Sequence, residues 1–168
     1  MIMFKKLIYL VAVFSFWTGL FLVFSWYGFT QERKDITWGV TFSTVMARQL
    51  GLEPREVFEA IIKDLKVPTL RLPVYWSEIE KERGRFDFGE YDLMVKKAEE
   101  EGVKLILVVG QKLPRWPECH IPAWAEQLSD EDRQKAVEHA IGVVIKHYKD
   151  SSNIEAWQVE NEPFFRYG

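Results

Sequence analysis

Residues 154–160 read Ile154-Glu155-Ala156-Trp157-Gln158-Val159-Glu160, and Asn161-Glu162-Pro163 follows at once. The seven-residue run is mostly apolar and strand-like, and Pro163 stops it because proline has no N–H to donate and fixes its own φ. Asn161 and Glu162 are therefore held at the C-terminal end of a strand. In a parallel sheet that end carries the loops from which binding and catalytic sites are built. The preceding chain decides whether there is such a sheet.

Working back from this run, strand and helix patterns alternate. Ile36 to Phe42 reads as a first strand, and Pro54 opens a helix with Val57, Phe58, Ile61, Ile62 and Leu65 at helical spacing. Thr69 to Val74 reads as the second strand. A second helix takes Asp87 as N-cap with Glu90 three residues on, carries Tyr91, Met94, Val95 and Ala98 on one face, and stops at Gly102. Lys104 to Val109 contains five consecutive aliphatics, the mark of a strand buried on both faces. Ser129, with Asp132 three residues later, starts a third helix striped by Val137, Ala140, Ile141, Val144 and Tyr148. Ile154 to Glu160 is the fourth strand.

Short connections and right-handed crossovers place four such strands in one parallel sheet. An open nucleotide-binding sheet would follow strand one with a Gly-rich loop, but Ser43-Thr44 stand there instead. A closed (β/α)8 barrel needs eight units and about 250 residues. The expected fold is thus α/β, the N-terminal half (β1 to β4) of a (β/α)8 barrel, occupying residues 31–168.

Residues 1–30 form a separate segment. Lys5-Lys6 precede Leu7 to Phe29, 23 residues without a charge, close to the roughly 20 that a bilayer-spanning helix needs. No small-x-small cleavage site follows, and Trp17, Trp26 and Tyr27 suit interfacial anchoring. The pattern predicts an uncleaved transmembrane signal anchor, with the lysines cytoplasmic and the remainder exported. Outside it, 20 basic residues face 25 acidic ones, which argues against a nucleic-acid partner. Cys119 is the only cysteine, so neither a disulfide framework nor a multi-cysteine metal site is available.

Arg71 on strand two, the block Trp76-Ser77-Glu78-Ile79-Glu80, then Gly84-Arg85-Phe86-Asp87-Phe88 and Tyr91-Asp92, and finally Asn161-Glu162-Pro163 together resemble a clan A glycoside hydrolase, most closely family 5, which is cellulase-like. The resemblance covers residues 36–168. It implies a retaining hydrolase of O-glycosyl bonds in a β-linked glycan, with an oligo- or polysaccharide substrate and no cofactor or metal. By the same resemblance Glu162 is the acid/base, Asn161 binds the sugar 2-hydroxyl beside the cleaved bond, and Arg71 supports the nucleophile. The nucleophile itself would be a second Glu on strand seven, which this sequence does not contain. The chain alone is accordingly expected to be inactive and to self-associate through its open sheet edges. The alternative reading is a non-catalytic, membrane-anchored carbohydrate-binding or scaffold half barrel.

The proline-rich segment 110–124 lies after strand three, on the same rim as Glu162. Aromatic side chains there suit stacking on sugar faces, so Trp116, His120 and Trp124 are substrate-binding candidates, with Trp38 and Trp76. Trp157 is expected to pack in the core, and Glu160 to serve a structural role.

Overall fold

The structure is a computed structural model that describes residues 2–29, 36–116 and 118–165. It divides into two units, residues 1–36 and 37–168. In the first, α1 is one 28-residue helix, Ile2–Phe29. Among the described residues no helix is long and apolar enough to cross a membrane. The boundary expected between residues 30 and 31 lies outside the described residues.

The second unit contains β1 (Gly39–Thr41), α2 (Thr44–Gln49), α3 (Pro54–Lys63), β2 (Thr69–Pro73), α4 (Trp76–Ile79), α5 (Gly89–Glu100), β3 (Lys104–Val109), α6 (Asp130–Tyr148) and β4 (Ile154–Val159). The strands form one sheet in the order β1-β2-β3-β4, parallel throughout. This is the half-barrel order that the alternation predicts.

Side-chain alternation along the strands separates two faces. Leu70, Leu72, Leu105 and Leu107 are completely buried and form one core with Phe58 and Ile62 of α3, Met94, Val95 and Ala98 of α5, and Val144 and Tyr148 of α6. The register runs Leu70 to Leu105 to Ile154, then Leu72 to Leu107 to Trp157. Ile154 and Trp157 are three residues apart yet join the same face, because one extra residue, Glu155, interrupts the pairing opposite Leu105 and Ile106. Trp157 packs against the helix-side core as expected. Arg71, Ile106 and Ala156 pair on the opposite face.

β2, α3 and β4 end one or two residues earlier than the sequence reading, and the start of β1, the cap of α5 and the extra helix α2 differ from it for local reasons. β1 is confined to Gly39–Thr41, since Ile36 and Trp38 are exposed. The N-cap of α5 is Phe88 rather than Asp87, although the Asp87 carboxylate still accepts the Gly89 N–H at 2.9 Å. The six-residue helix α2 is too short for a periodicity reading; it is started by Ser43, whose hydroxyl accepts the Met46 N–H at 3.1 Å.

Two glycines give opposite expectations. A Cβ on Gly39 would sit 2.7 Å from the Thr69 carbonyl oxygen, whereas one on Gly142, exposed in α6, would meet nothing within 4 Å. Gly142→Ala should therefore raise stability by about 0.5–1 kcal/mol through chain entropy. Gly39→Ala should lower it by about 1–3 kcal/mol by forcing β1 from β2. Urea midpoints of the two variants check both signs.

Candidate active site

Arg71 lies between two fully buried leucines, so its own side chain leaves the helix-packed face and enters the face shared by Gly39, Thr41, Ile106 and Glu155. A guanidinium there needs an acceptor. Its Nη2 donates to Asn161 Oδ1 at 2.9 Å, across 90 residues of sequence. Arg71 Nε is buried without a hydrogen-bond partner among the described residues. Burial lowers the Arg71 pKa, but a guanidinium stays charged.

The chain past β4 is shaped by two residues in the left-handed region, Glu160 at φ 61° and Glu162 at φ 51°. Between them the Asn161 N–H donates to the Lys112 carbonyl at 2.6 Å. The Glu160 carboxylate accepts the backbone N–H groups of Gln111 at 3.0 Å and Lys112 at 2.6 Å. Burial raises the Glu160 pKa, with those two N–H bonds opposing the shift. Gly110, at φ 136°, leaves the space this carboxylate fills: a Cβ there would lie 2.5 Å from Glu160 Cδ. Glu162 has an exposed side chain beside Asn161, and its carbonyl accepts the Phe165 N–H at 2.9 Å.

The segment after β3 folds back on itself. Lys112 pairs antiparallel with Cys119, the Leu113 N–H donates to the Glu118 carbonyl at 2.7 Å, and the Glu118 N–H to that of Arg115 at 2.6 Å. Trp116 sits at this turn and is 70% exposed. Beneath it, the Tyr75 hydroxyl donates to the Pro114 carbonyl at 2.7 Å and accepts from Ser43 Oγ at 2.7 Å. Burial holds that phenol protonated, with its pKa pushed up to about 12.

The remaining candidates are buried or covered, or lie at the other end of the sheet. His120 is only 6% exposed; its ring lies 4.2 Å from that of Tyr75, its Nε2 is 3.2 Å from the Arg115 carbonyl, and burial lowers its pKa. Trp76 is 1% exposed and donates its indole N–H to Glu80 at 2.6 Å, so it packs the core and offers no open face to a sugar. Trp124 meets Trp76 edge-on at 5.6 Å, donates to the Glu80 carbonyl at 2.8 Å, and is covered by Arg83 at 5.4 Å. Trp38 is exposed but precedes β1, at the N-terminal end of the sheet and away from Asn161. The sequence reading grouped these by residue type; burial and strand direction separate them. Glu78, from the same Trp-Ser-Glu block, joins helices instead: it accepts from Thr44 at 2.7 Å and Tyr91 at 2.6 Å and pairs with Arg48. Among the described residues no group of three or more His, Cys, Asp or Glu is placed to hold a metal.

A basic residue not singled out from the sequence completes the rim. Lys112 Nζ donates to the Phe165 carbonyl at 2.6 Å, so one residue of the β3 loop contacts the chain both before and after Glu162.

Residues 37–168 match the sequence profile of glycosyl hydrolase family 10. The chain belongs to that family. Family 10 replaces the family 5 expectation and lies in the same clan A; the Arg and Asn-Glu signals fit the clan and did not separate its families. An endo-1,4-beta-xylanase 3 of Hypocrea jecorina is 30% identical over 120 residues, 70% of this chain and 33% of that protein. The chain thus spans about a third of the curated relatives' length. Two solved structures share the fold. One is a cold-adapted beta-galactosidase from Rahnella sp. R3, with TM-score 0.59, 16% identity, and coverage of 82% of this chain and 22% of that one. The other is GH5_18 from Streptomyces cattleya in complex with GlcNAc, with TM-score 0.58, 15% identity, and coverage of 74% and 33%.

In this family 10 segment, Gly110→Ala should cost about 1–3 kcal/mol. The new methyl group would meet Glu160, which can withdraw only by giving up two N–H partners. Thermal unfolding of Gly110→Ala beside Gly142→Ala checks that the loss belongs to this contact and not to adding a methyl group.

Proposed function

We propose that residues 37–165 supply the proton-donating half of a retaining β-glycan hydrolase. Glu162 acts as acid/base, Asn161 binds the sugar hydroxyl beside the cleaved bond, and Arg71 supports a nucleophilic carboxylate. The Arg71–Asn161 hydrogen bond carries this reading, because it ties the second strand to the residue preceding Glu162. Arg71 Nε retains a donor for another acceptor, and the nucleophile's carboxylate is the group we assign to it. The likeness to an endo-1,4-beta-xylanase makes β-1,4-linked xylan the first substrate to test.

The chemistry needs two carboxyl groups about 5–5.5 Å apart. In the first step the nucleophile bonds to the anomeric carbon while the glycosidic C–O bond breaks and Glu162 gives its proton to the leaving oxygen. In the second, Glu162 takes a proton from water as that water displaces the nucleophile. The second carboxylate and the closing strands come from sequence beyond residues 37–165. Trp116, exposed on the Glu162 rim, is the aromatic we assign to sugar stacking.

We further propose that Leu7 to Phe29 anchor the protein in a membrane, with the family 10 segment exported. The uncharged run behind Lys5-Lys6 supports this. Protease added to intact spheroplasts should then digest the family 10 segment, and protection of that segment would reverse the topology.

In a protein carrying the closing strands, Glu162→Gln should lower hydrolysis of xylan by about 10²–10⁴-fold. Aryl xylosides with good leaving groups should lose far less in the first step, and azide should restore turnover by replacing water. Equal loss on both substrates without azide rescue would remove Glu162 from the acid/base role.

A further inference from the structure

Glu162 is held in place by little of its own. Its side chain is exposed, its backbone sits at φ 51°, and Pro163 follows. An acid/base must nevertheless be kept within a fraction of an ångström of its working position, which requires neighbouring groups to fix the turn that carries it. Lys112 provides those constraints from the neighbouring loop.

Five contacts converge on this residue. Its N–H donates to Glu160 Oε2 at 2.6 Å, and its carbonyl accepts the Asn161 N–H at 2.6 Å. Its Nζ donates to the Phe165 carbonyl at 2.6 Å and lies 5.7 Å from the centre of the Phe165 ring. The ammonium also lies 3.6 Å from Glu118 Oε2, and the side chain is only 12% exposed. Residues 160 and 161 are thus gripped by the Lys112 backbone and residue 165 by its side chain, with Glu162 in the span between. The Phe165 N–H donates to the Glu162 carbonyl at 2.9 Å and closes the turn.

We propose that Lys112 is a positioning residue for Glu162. The inference rests on the acid/base reading of Glu162 given above. Its ammonium bears on the reaction through the turn: a charged donor bonded to a backbone carbonyl is about twice as strong as a neutral one, and it is partly shielded from water here. The backbone contacts survive any substitution that keeps the fold, so a side-chain variant tests the Nζ contribution alone.

Two measurements separate this inference from the reading beneath it. The first uses the present chain: hydrogen exchange at the Phe165 amide should quicken about tenfold in Lys112→Met and recover in Lys112→Arg, with the Leu105 amide unchanged as a core reference. Unchanged exchange at Phe165 overturns the proposal whatever Glu162 does. The second uses the protein with its closing strands. Lys112→Met should lower kcat on xylan about tenfold with little change in KM, should lower it much less on aryl xylosides with good leaving groups, and should be rescued by Lys112→Arg. A loss equal on both substrates marks a general structural role and overturns the proposal. So does full activity of Lys112→Met alongside a selective defect in Glu162→Gln, which leaves the acid/base reading intact. If Glu162→Gln shows no selective defect, both readings fall.

Discussion

Three parallel ladders, from β1 to β2, β2 to β3 and β3 to β4, constrain everything else in the family 10 segment. A parallel pair cannot be joined by a tight turn, so each connection must cross the sheet and return to the same end. The helices that make the crossings cover one face and bury Leu70, Leu72, Leu105 and Leu107. The other face is then free to hold Arg71, and all the segments that leave the strands gather at one rim. Asn161 and Lys112 meet there because the ladders deliver them to neighbouring positions, although no local sequence signal links them.

The rim is organised by polar groups satisfying one another across loops. Glu160 is the clearest case. Its carboxylate replaces strand pairing as the partner of two N–H groups just past the end of β3, and Gly110 gives it room. A carboxylate used in this way is occupied, and Glu162, two residues on, keeps an exposed one. Neighbouring glutamates are thereby given different surroundings by backbone geometry.

The sequence made the alternating elements legible because long amphipathic stripes and an all-aliphatic strand leave strong periodic signals. β3 and α6 match their predicted spans. Arg71, Asn161 and Glu162 could be singled out because a charge in an apolar strand and a polar pair before proline are locally anomalous. The aromatics carried no such signal. Trp76 and Trp116 look alike in sequence, yet one is walled in by α6 and Glu80 and the other stands on a turn, a difference decided by contacts between distant elements. Lys112 was hidden for the same reason: its partners lie some fifty residues away. The family distinction eluded the motifs because they belong to the whole clan.

The extra residue in β4 has an effect larger than its size. Strand side chains alternate strictly, so the phase of β4 after Glu155 decides which of its residues look toward Arg71 and which toward the helices. With the insertion, Trp157 enters the helix-side core and Gln158 takes the other side. Without it, the two would exchange faces, and the backbone would arrive at residue 160 turned by half a pleat. The orientation of the rim is therefore counted out along the strand before any rim contact is made. A deletion within β4 would invert the reading frame of its faces, a change that no single substitution at the rim could imitate or repair.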